Sequence, residues 1–209
     1  SENTSLGGAL GGMPMAIKDL ANVKGFKTTE GSPLYAERVA QKDDQMVARL
    51  RAAGALFIGK TNTPEFGLGS NTFNPVYGKT KNPYDLSKTC GGSSGGAAVA
   101  LATRMVSISD GSDMMGSLRN PAAWNNVYGL RPTWGLIPPE PSGEIFLSQL
   151  STLGPMARSP KDLAMLLDVQ ANRAENRSFI SSVTTFSDFT KKPIMKGIKV
   201  GWLGDWGGT

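Results

Sequence analysis

Apolar positions recur along this chain with two spacings, and the way the spacings alternate predicts its architecture. Met13-Pro14-Met15-Ala16-Ile17 is a period-two run leading into Lys18-Asp19, which predicts a strand with Lys18 on it or at its C-terminal end. Thr28 to Ser32 reads as a turn. From Asp43 onward Met46, Val47, Leu50 and Ala53 follow helical spacing, with Asp43 expected as the N-cap and Gly54 as the stop. Ala55-Leu56-Phe57-Ile58 is then a short buried strand, so this stretch is a helix-to-strand step of α/β type. Asn62 to Lys88, interrupted by Pro64, Pro75 and Pro83, is expected to be irregular.

In the second half, the small apolar run Ala97 to Ala102 predicts a buried helix whose N-terminus points back at a serine-glycine loop. Val106-Ser107-Ile108-Ser109 reads as a strand. Ser159 and Pro160 open a helix as N-cap and first helical residue, with Leu163, Leu166, Leu167 and Gln170 along it. Ile198, Val200 and Trp202 alternate as a last strand before a Gly-rich turn, and a strand with no following element reads as a fragment of something longer. No repeat, low-complexity segment or linker divides the chain, so residues 1–209 are expected to form part of a single domain.

Composition narrows the chemistry. The formal charge of +5 is mild and the Lys and Arg residues are scattered, which argues against a nucleic-acid partner. No run approaches the roughly 18 apolar residues of a membrane span, and no signal stretch opens the chain. A single cysteine, Cys90, forms no internal disulfide, so a cytoplasmic setting is the default. The chain contains no histidine, which leaves no imidazole base and no soft metal site, and no cofactor is expected.

Within those limits, the stretch from Cys90 to Pro121 carries the candidate chemistry. Gly91, Gly92, Gly95 and Gly96 bracket Ser93 and Ser94, so the backbone can bring N–H groups close to a reacting atom. A second loop, expected from Gly111 to Ser117, runs at once into Leu118, Arg119, Asn120 and Pro121. Two hydroxyl-bearing tight loops point to acyl transfer if a base can be found. Two other matches carry little weight. Gly54 to Thr61 satisfies the phosphate-loop pattern by letter, but its four middle residues read as a strand and no helix follows. Gly92 to Gly96 matches a nucleophile elbow on Ser94, which needs a histidine absent up to Thr209 and stays open only if a missing C-terminal half supplies one. Asn3 and Asn176 begin glycosylation acceptor sequences, a frequent coincidence where nothing marks secretion.

Taken together, G-G-S-S-G-G, then G-S-D-x-x-G-S-L-R-N-P-A, then G-L-R-P-T-W-G, with I-K-D-L upstream, resemble the amidase signature family. Lys18 and Ser93 lie 75 residues apart and Ser93 and Ser117 lie 24 apart, as in that family, and the resemblance extends from about Gly11 to Ala171. It implies an α/β fold, a mixed twisted β-sheet covered by helices on both faces, of which this chain would be an incomplete piece. It also implies a Ser-cisSer-Lys triad. Ser117 would be the nucleophile, Ser93, preceded by a cis peptide bond in the family, the relay, and Lys18 the base. The backbone N–H groups of Met114, Met115, Gly116 and Ser117 match the family's oxyanion-hole stretch. Ser94 would support the loop by hydrogen bonding, and Asp113 and Arg119 would brace it as an ion pair.

For Lys18 to accept a proton its pKa must fall towards neutrality, which requires burial and no directly paired carboxylate. The sequence departs from the family at Met114-Met115, where small residues are common. Met115 must therefore use ordinary backbone angles, and the two thioethers are expected to line the acyl pocket. The implied activity is hydrolysis of a small-molecule carboxylic amide through an acyl-enzyme on Ser117. The Met-Met-Gly-Ser-Leu-Arg-Asn-Pro wording resembles the stand-alone bacterial amidases, with a homodimer left open. An amidotransferase A-type subunit supplying ammonia to a partner, and a catalytically silent scaffold, are the alternatives.

Overall fold

The computed structural model describes residues 8–140, 149–171, 185–191, 197–199, 201 and 204. β1 (Pro14–Lys18) runs parallel to β2 (Leu56–Thr61), which follows the helix α1 (Gln45–Ala52). Met15 pairs with Phe57 and Ala16 with Gly59, so Ile58 is an extra, outward-bulging residue. A two-stranded hairpin of β3 (Phe73–Asn74) and β4 (Gly78–Lys79) lies in the expected irregular stretch. α2 (Gly95–Ala102) leads to β5 (Ile108–Asp113), then α3 (Arg119–Trp124) and β6 (Tyr128–Gly129). β7 (Thr152–Ala157) pairs antiparallel with both β5 and β6, and α4 (Pro160–Ala171) and α5 (Phe186–Lys191) follow.

Strand alternation sends side chains into two apolar layers, which accounts for helices on both faces. Met15 and Ile17 of β1, Ile108 of β5 and Ala157 of β7 pack with Met46, Val47 and Leu50 of α1 and Leu166 and Leu167 of α4. Ala16 of β1 and Met156 of β7 face the other way, against Ala97, Ala98 and Leu101 of α2 and Ala122 of α3. Lys18 shares parity with Ala16, so the same alternation turns it towards the start of α2. The α/β architecture expected from the sequence is therefore present.

β1 and β5 are neighbours without a backbone ladder among the described residues. Two side chains of β5 join them instead: the Ser109 hydroxyl donates to the Ala16 carbonyl at 3.0 Å, and the Asp110 carboxylate accepts the Lys18 backbone N–H at 2.9 Å.

Several boundaries differ from expectation. Asp44, not Asp43, occupies the N-cap position of α1. Its carboxylate accepts from the Asn22 backbone and side chain, while Asp43 pairs with Arg51 at 2.6 Å. β2 runs on through Gly59-Lys60-Thr61, which disposes of the phosphate-loop pattern. Gly111 and Ser112 belong to β5, so the second loop begins only after Asp113. β7 carries Gly154-Pro155 in mid-strand. Its Pro155 carbonyl accepts from Leu130 just beyond β6, so the missing N–H lies where that partner strand has ended. Ser159 caps α4 as expected, accepting the Asp162 N–H at 3.1 Å. Ile198 and Lys199 are not in a strand; Val200, Trp202, Asn3 and Asn176 lie outside the described residues. No described helix is long and apolar enough to cross a membrane.

Close approach of α2 to the end of β2 sets a test. A Cβ at Gly96 would stand 2.3 Å from the Asn62 backbone nitrogen, whereas one at Gly59 would meet nothing within 4 Å. In the full-length protein Gly96→Ala is expected to cost about 1–3 kcal/mol and lower the melting temperature by several degrees. Gly59→Ala should leave it within about a degree.

Candidate active site

Lys18 ends β1 with 1 % of its surface exposed. Its ammonium donates to three hydroxyls: Ser93 Oγ at 2.7 Å, Ser94 Oγ at 2.9 Å and Ser112 Oγ at 2.9 Å. Three N–H groups meeting three oxygens saturate an ammonium, and the same hydroxyls can donate to a neutral amine. No carboxylate is hydrogen-bonded to Nζ among the described residues. Burial drives the Lys18 pKa down to about 7, against the pull of the Asp110 and Asp113 charges. Such a lysine exchanges its proton near neutrality.

The serines reach Lys18 from different elements. Ser93 and Ser94 come from the loop that opens α2, and the Gly92–Ser93 peptide bond is cis. The Ser94 hydroxyl also donates to the Ser112 carbonyl at 3.3 Å, and its backbone N–H donates to the Ser117 carbonyl at 3.1 Å. Ser94 thus ties the loop to β5 and to Ser117. Gly111 faces this loop, and a Cβ there would sit 2.5 Å from Leu118 and 2.8 Å from the Ser94 oxygen. Only glycine leaves the space that lets the loop close over β5.

Beyond β5 the chain folds around Asp113, which is fully buried. Arg119 binds it with two hydrogen bonds, Nε to Oδ2 at 3.0 Å and Nη2 to Oδ1 at 3.1 Å. Arg131 adds a bond at 3.0 Å and also holds the carbonyls of Asp113 and Met114. Gly116 and Leu118 donate their backbone N–H groups to the same carboxylate at 2.7 and 3.1 Å. Burial opposes ionisation of Asp113, but the Arg119 bonds, these amides and Arg131 outweigh it and hold the carboxyl well below the ordinary range.

This knot shapes the stretch expected to form an oxyanion hole. The Gly116 N–H is taken by Asp113, while those of Met114, Met115 and Ser117 have no acceptor among the described residues. Gly116 has φ +114, and neither methionine has a positive φ, so the glycine absorbs the unusual geometry. The methionines do not line the cavity of about 260 Å³ beside Lys18, whose walls include Asp110, Ser112, Trp134, Ile137 and Thr152. Met115 is 81 % exposed. At the N-terminus of α2 the Gly95 and Gly96 amides are already engaged, donating to Thr72 Oγ1 at 3.1 Å and the Asn62 carbonyl at 3.2 Å.

Of the residues singled out in the sequence, Lys18, Ser93 and Ser94 meet directly, and Asp113 and Arg119 pair. Ser117 is half-buried beside them through its backbone, and its hydroxyl has no hydrogen-bond partner among the described residues. Sequence reasoning passed over Ser112, Asp110 and Arg131. The alternation of β5 could have shown that Asp110 and Ser112 share a face, had Gly111 not been read as the start of a loop.

The sequence pattern of the family described as Amidase matches residues 1–207. The A subunit of the Koribacter versatilis glutamyl-tRNA(Gln) amidotransferase is 43 % identical over 195 residues, 92 % of this chain and 40 % of that protein. A solved structure of 6-aminohexanoate cyclic dimer hydrolase complexed with substrate superposes with a TM-score of 0.72 at 37 % identity, over 76 % of this chain and 34 % of that one. Native peptide amidase from Stenotrophomonas maltophilia gives 0.70 at 39 % identity, over 76 % and 33 %. The chain belongs to the amidase signature family. It spans about two fifths of the length of the curated relatives it matches.

Asp113→Asn keeps an acceptor but removes the charge that two arginines share. In the full-length protein it is expected to cost about 1.5–3 kcal/mol, because charge-assisted hydrogen bonds are lost while the partly exposed Arg119 and Arg131 can turn to water, and to speed amide hydrogen exchange at Gly116 and Leu118. Exchange at those amides unchanged from wild type would show that the loop holds without the knot.

Proposed function

We propose that this segment supplies the Ser117–Ser93–Lys18 relay of an enzyme that hydrolyses a carboxylic amide other than a peptide bond. The observation that carries the reading is the Lys18 amine, buried, near-neutral in proton affinity and bonded only to hydroxyls. In the forward step neutral Lys18 accepts the Ser93 hydroxyl proton, and Ser93 takes that of Ser117. Ser117 Oγ then forms a bond to the carbonyl carbon, and the C=O electron pair moves to oxygen. The N–H groups of Met114, Met115 and Ser117 are the donors free to stabilise that oxyanion. Each donor of this kind is worth about 2.7–4 kcal/mol. On collapse the C–N bond breaks, and the proton held on Lys18 passes through Ser93 to the leaving amine. Water then attacks the acyl-enzyme by the same relay, releasing the carboxylic acid and restoring Ser117. No cofactor enters the scheme.

A second reading gives the released nitrogen to a partner chain as ammonia, with glutamine as the amide. The curated relatives favour it over the stand-alone type, since the similar proteins of Koribacter versatilis and Alkaliphilus metalliredigens, each 43 % identical, are by name the A subunits of glutamyl-tRNA(Gln) amidotransferases. Both readings share the acyl-enzyme chemistry. They part on whether turnover of glutamine requires partner subunits.

Intact mass of the full-length protein after exposure to a serine-directed fluorophosphonate tests the shared step. One adduct is expected, absent in Ser117→Ala and formed roughly 10²–10⁴-fold more slowly in Lys18→Ala. An adduct that persists in Ser117→Ala sinks the assignment, and no adduct on folded wild-type protein favours a silent scaffold.

The pH profile is a separate check. Because the neutral amine is the active form, the labelling rate should rise through an acid limb at about pH 7, where Lys18 loses its proton. A rate flat from pH 5 to 9 would rule out Lys18 as the base.

A further inference from the structure

Asp110 is the buried carboxylate that the relay does not use. It is 1 % exposed, it lies two residues before Ser112 on the same face of β5, and Oδ1 accepts the Lys18 backbone N–H at 2.9 Å. One face of one strand therefore grips Lys18 at both ends: Asp110 holds the main chain and Ser112 Oγ holds the ammonium at 2.9 Å. A hydrogen bond to a backbone N–H could come equally from the amide oxygen of asparagine, without the cost of burying a charge. The charge of Asp110 is the part that this bond does not explain.

Its surroundings show what the charge acts on. Asp110 accepts no side-chain hydrogen bond among the described residues. The titratable groups that act on Lys18 are Asp110 and Asp113 from β5; Lys60, paired with Asp19 at 3.3 Å, acts on Asp110 as well. Asp44 and Glu140 border the cavity beside it. Asp113 is bound to two arginines and Asp19 to Lys60, so Asp110 is the member of this set with no ion pair among the described residues; burial pushes its carboxyl up, and the Lys18 N–H and the Lys18 and Lys60 charges pull it back towards the charged form.

Resting on the relay proposed above, we propose that Asp110 is a positioning residue for Lys18. Its carboxylate fixes the main chain beneath the base, and its charge keeps the buried amine able to hold a proton between taking it from Ser93 and returning it to the leaving group. Without that charge, burial leaves a weaker base, slower to take the proton from Ser93 and less able to hold it until the C–N bond breaks. The desolvation that lowers the Lys18 pKa is opposed first by Asp110, which agrees with the geometry.

The test uses the full-length protein carrying Asp110→Asn, with Asp110→Leu and Glu140→Gln beside it. The Lys18 ε-carbon is titrated by NMR and assigned by its loss in Lys18→Arg. Asp110→Asn should fold and bring the Lys18 midpoint down by about half a pH unit or more, with the acid limb of fluorophosphonate labelling moving by the same amount. Asp110→Leu, which also removes the acceptor, should slow labelling at least about tenfold. Glu140→Gln should move neither. A folded Asp110→Asn protein whose Lys18 midpoint equals that of wild type overturns the proposal, because the carboxylate is then neutral or its charge unfelt. The NMR midpoint needs no turnover, so it decides this point even if Ser117 takes no label, an outcome that would count against the relay alone.

Discussion

Everything around the site follows from taking the Lys18 ammonium out of water without giving it a carboxylate to sit on. A lysine is tolerated there only if its three donors find oxygen, and no one strand or loop can offer three acceptors around a single point. The chain therefore brings Ser93 and Ser94 from the loop before α2 and Ser112 from β5 to the end of β1. Gly111 and Gly96 supply the close backbone approaches that make this possible. The apolar layers on either side of the sheet serve the same end, since they exclude the water that would restore the ordinary proton affinity of the amine.

The neighbouring carboxylates are handled in opposite ways. Asp113 is surrounded by two guanidinium groups and by backbone amides, so its charge is spent on holding the loop from Met114 to Leu118. Lys18 and Asp113 belong to adjacent strands and are buried alike, yet one is brought near neutrality in proton affinity and the other is held as an anion. The difference lies in the partners: hydroxyls, which can both donate and accept, beside Lys18, and obligate donors around Asp113.

Much of this was legible in the chain. Period-two alternation located β1, and Ser159-Pro160 with its leucine spacing located α4. The intervals between Lys18, Ser93 and Ser117 led to the site because glycine-bracketed serines are rare enough to stand out. What the sequence hid lay where a local signal competed with a tertiary one. Gly111 looked like a loop residue, yet it is needed in mid-strand because Ser94 and Leu118 press against it. Arg131 is 18 residues from Asp113, and its role depends on the path of β6 and β7, which no local pattern encodes.

The junction of β1 with β5 rests on the side chains of Ser109 and Asp110 rather than on a backbone ladder. A ladder is all-or-none: shifting it by one residue inverts every side chain. A junction stitched by side chains can be altered one residue at a time while each strand keeps its register with its own partner. The seam also reaches the candidate site, since Asp110 both holds the Lys18 main chain and walls the cavity beside it. Chemical diversification can proceed along this seam without rebuilding the sheet.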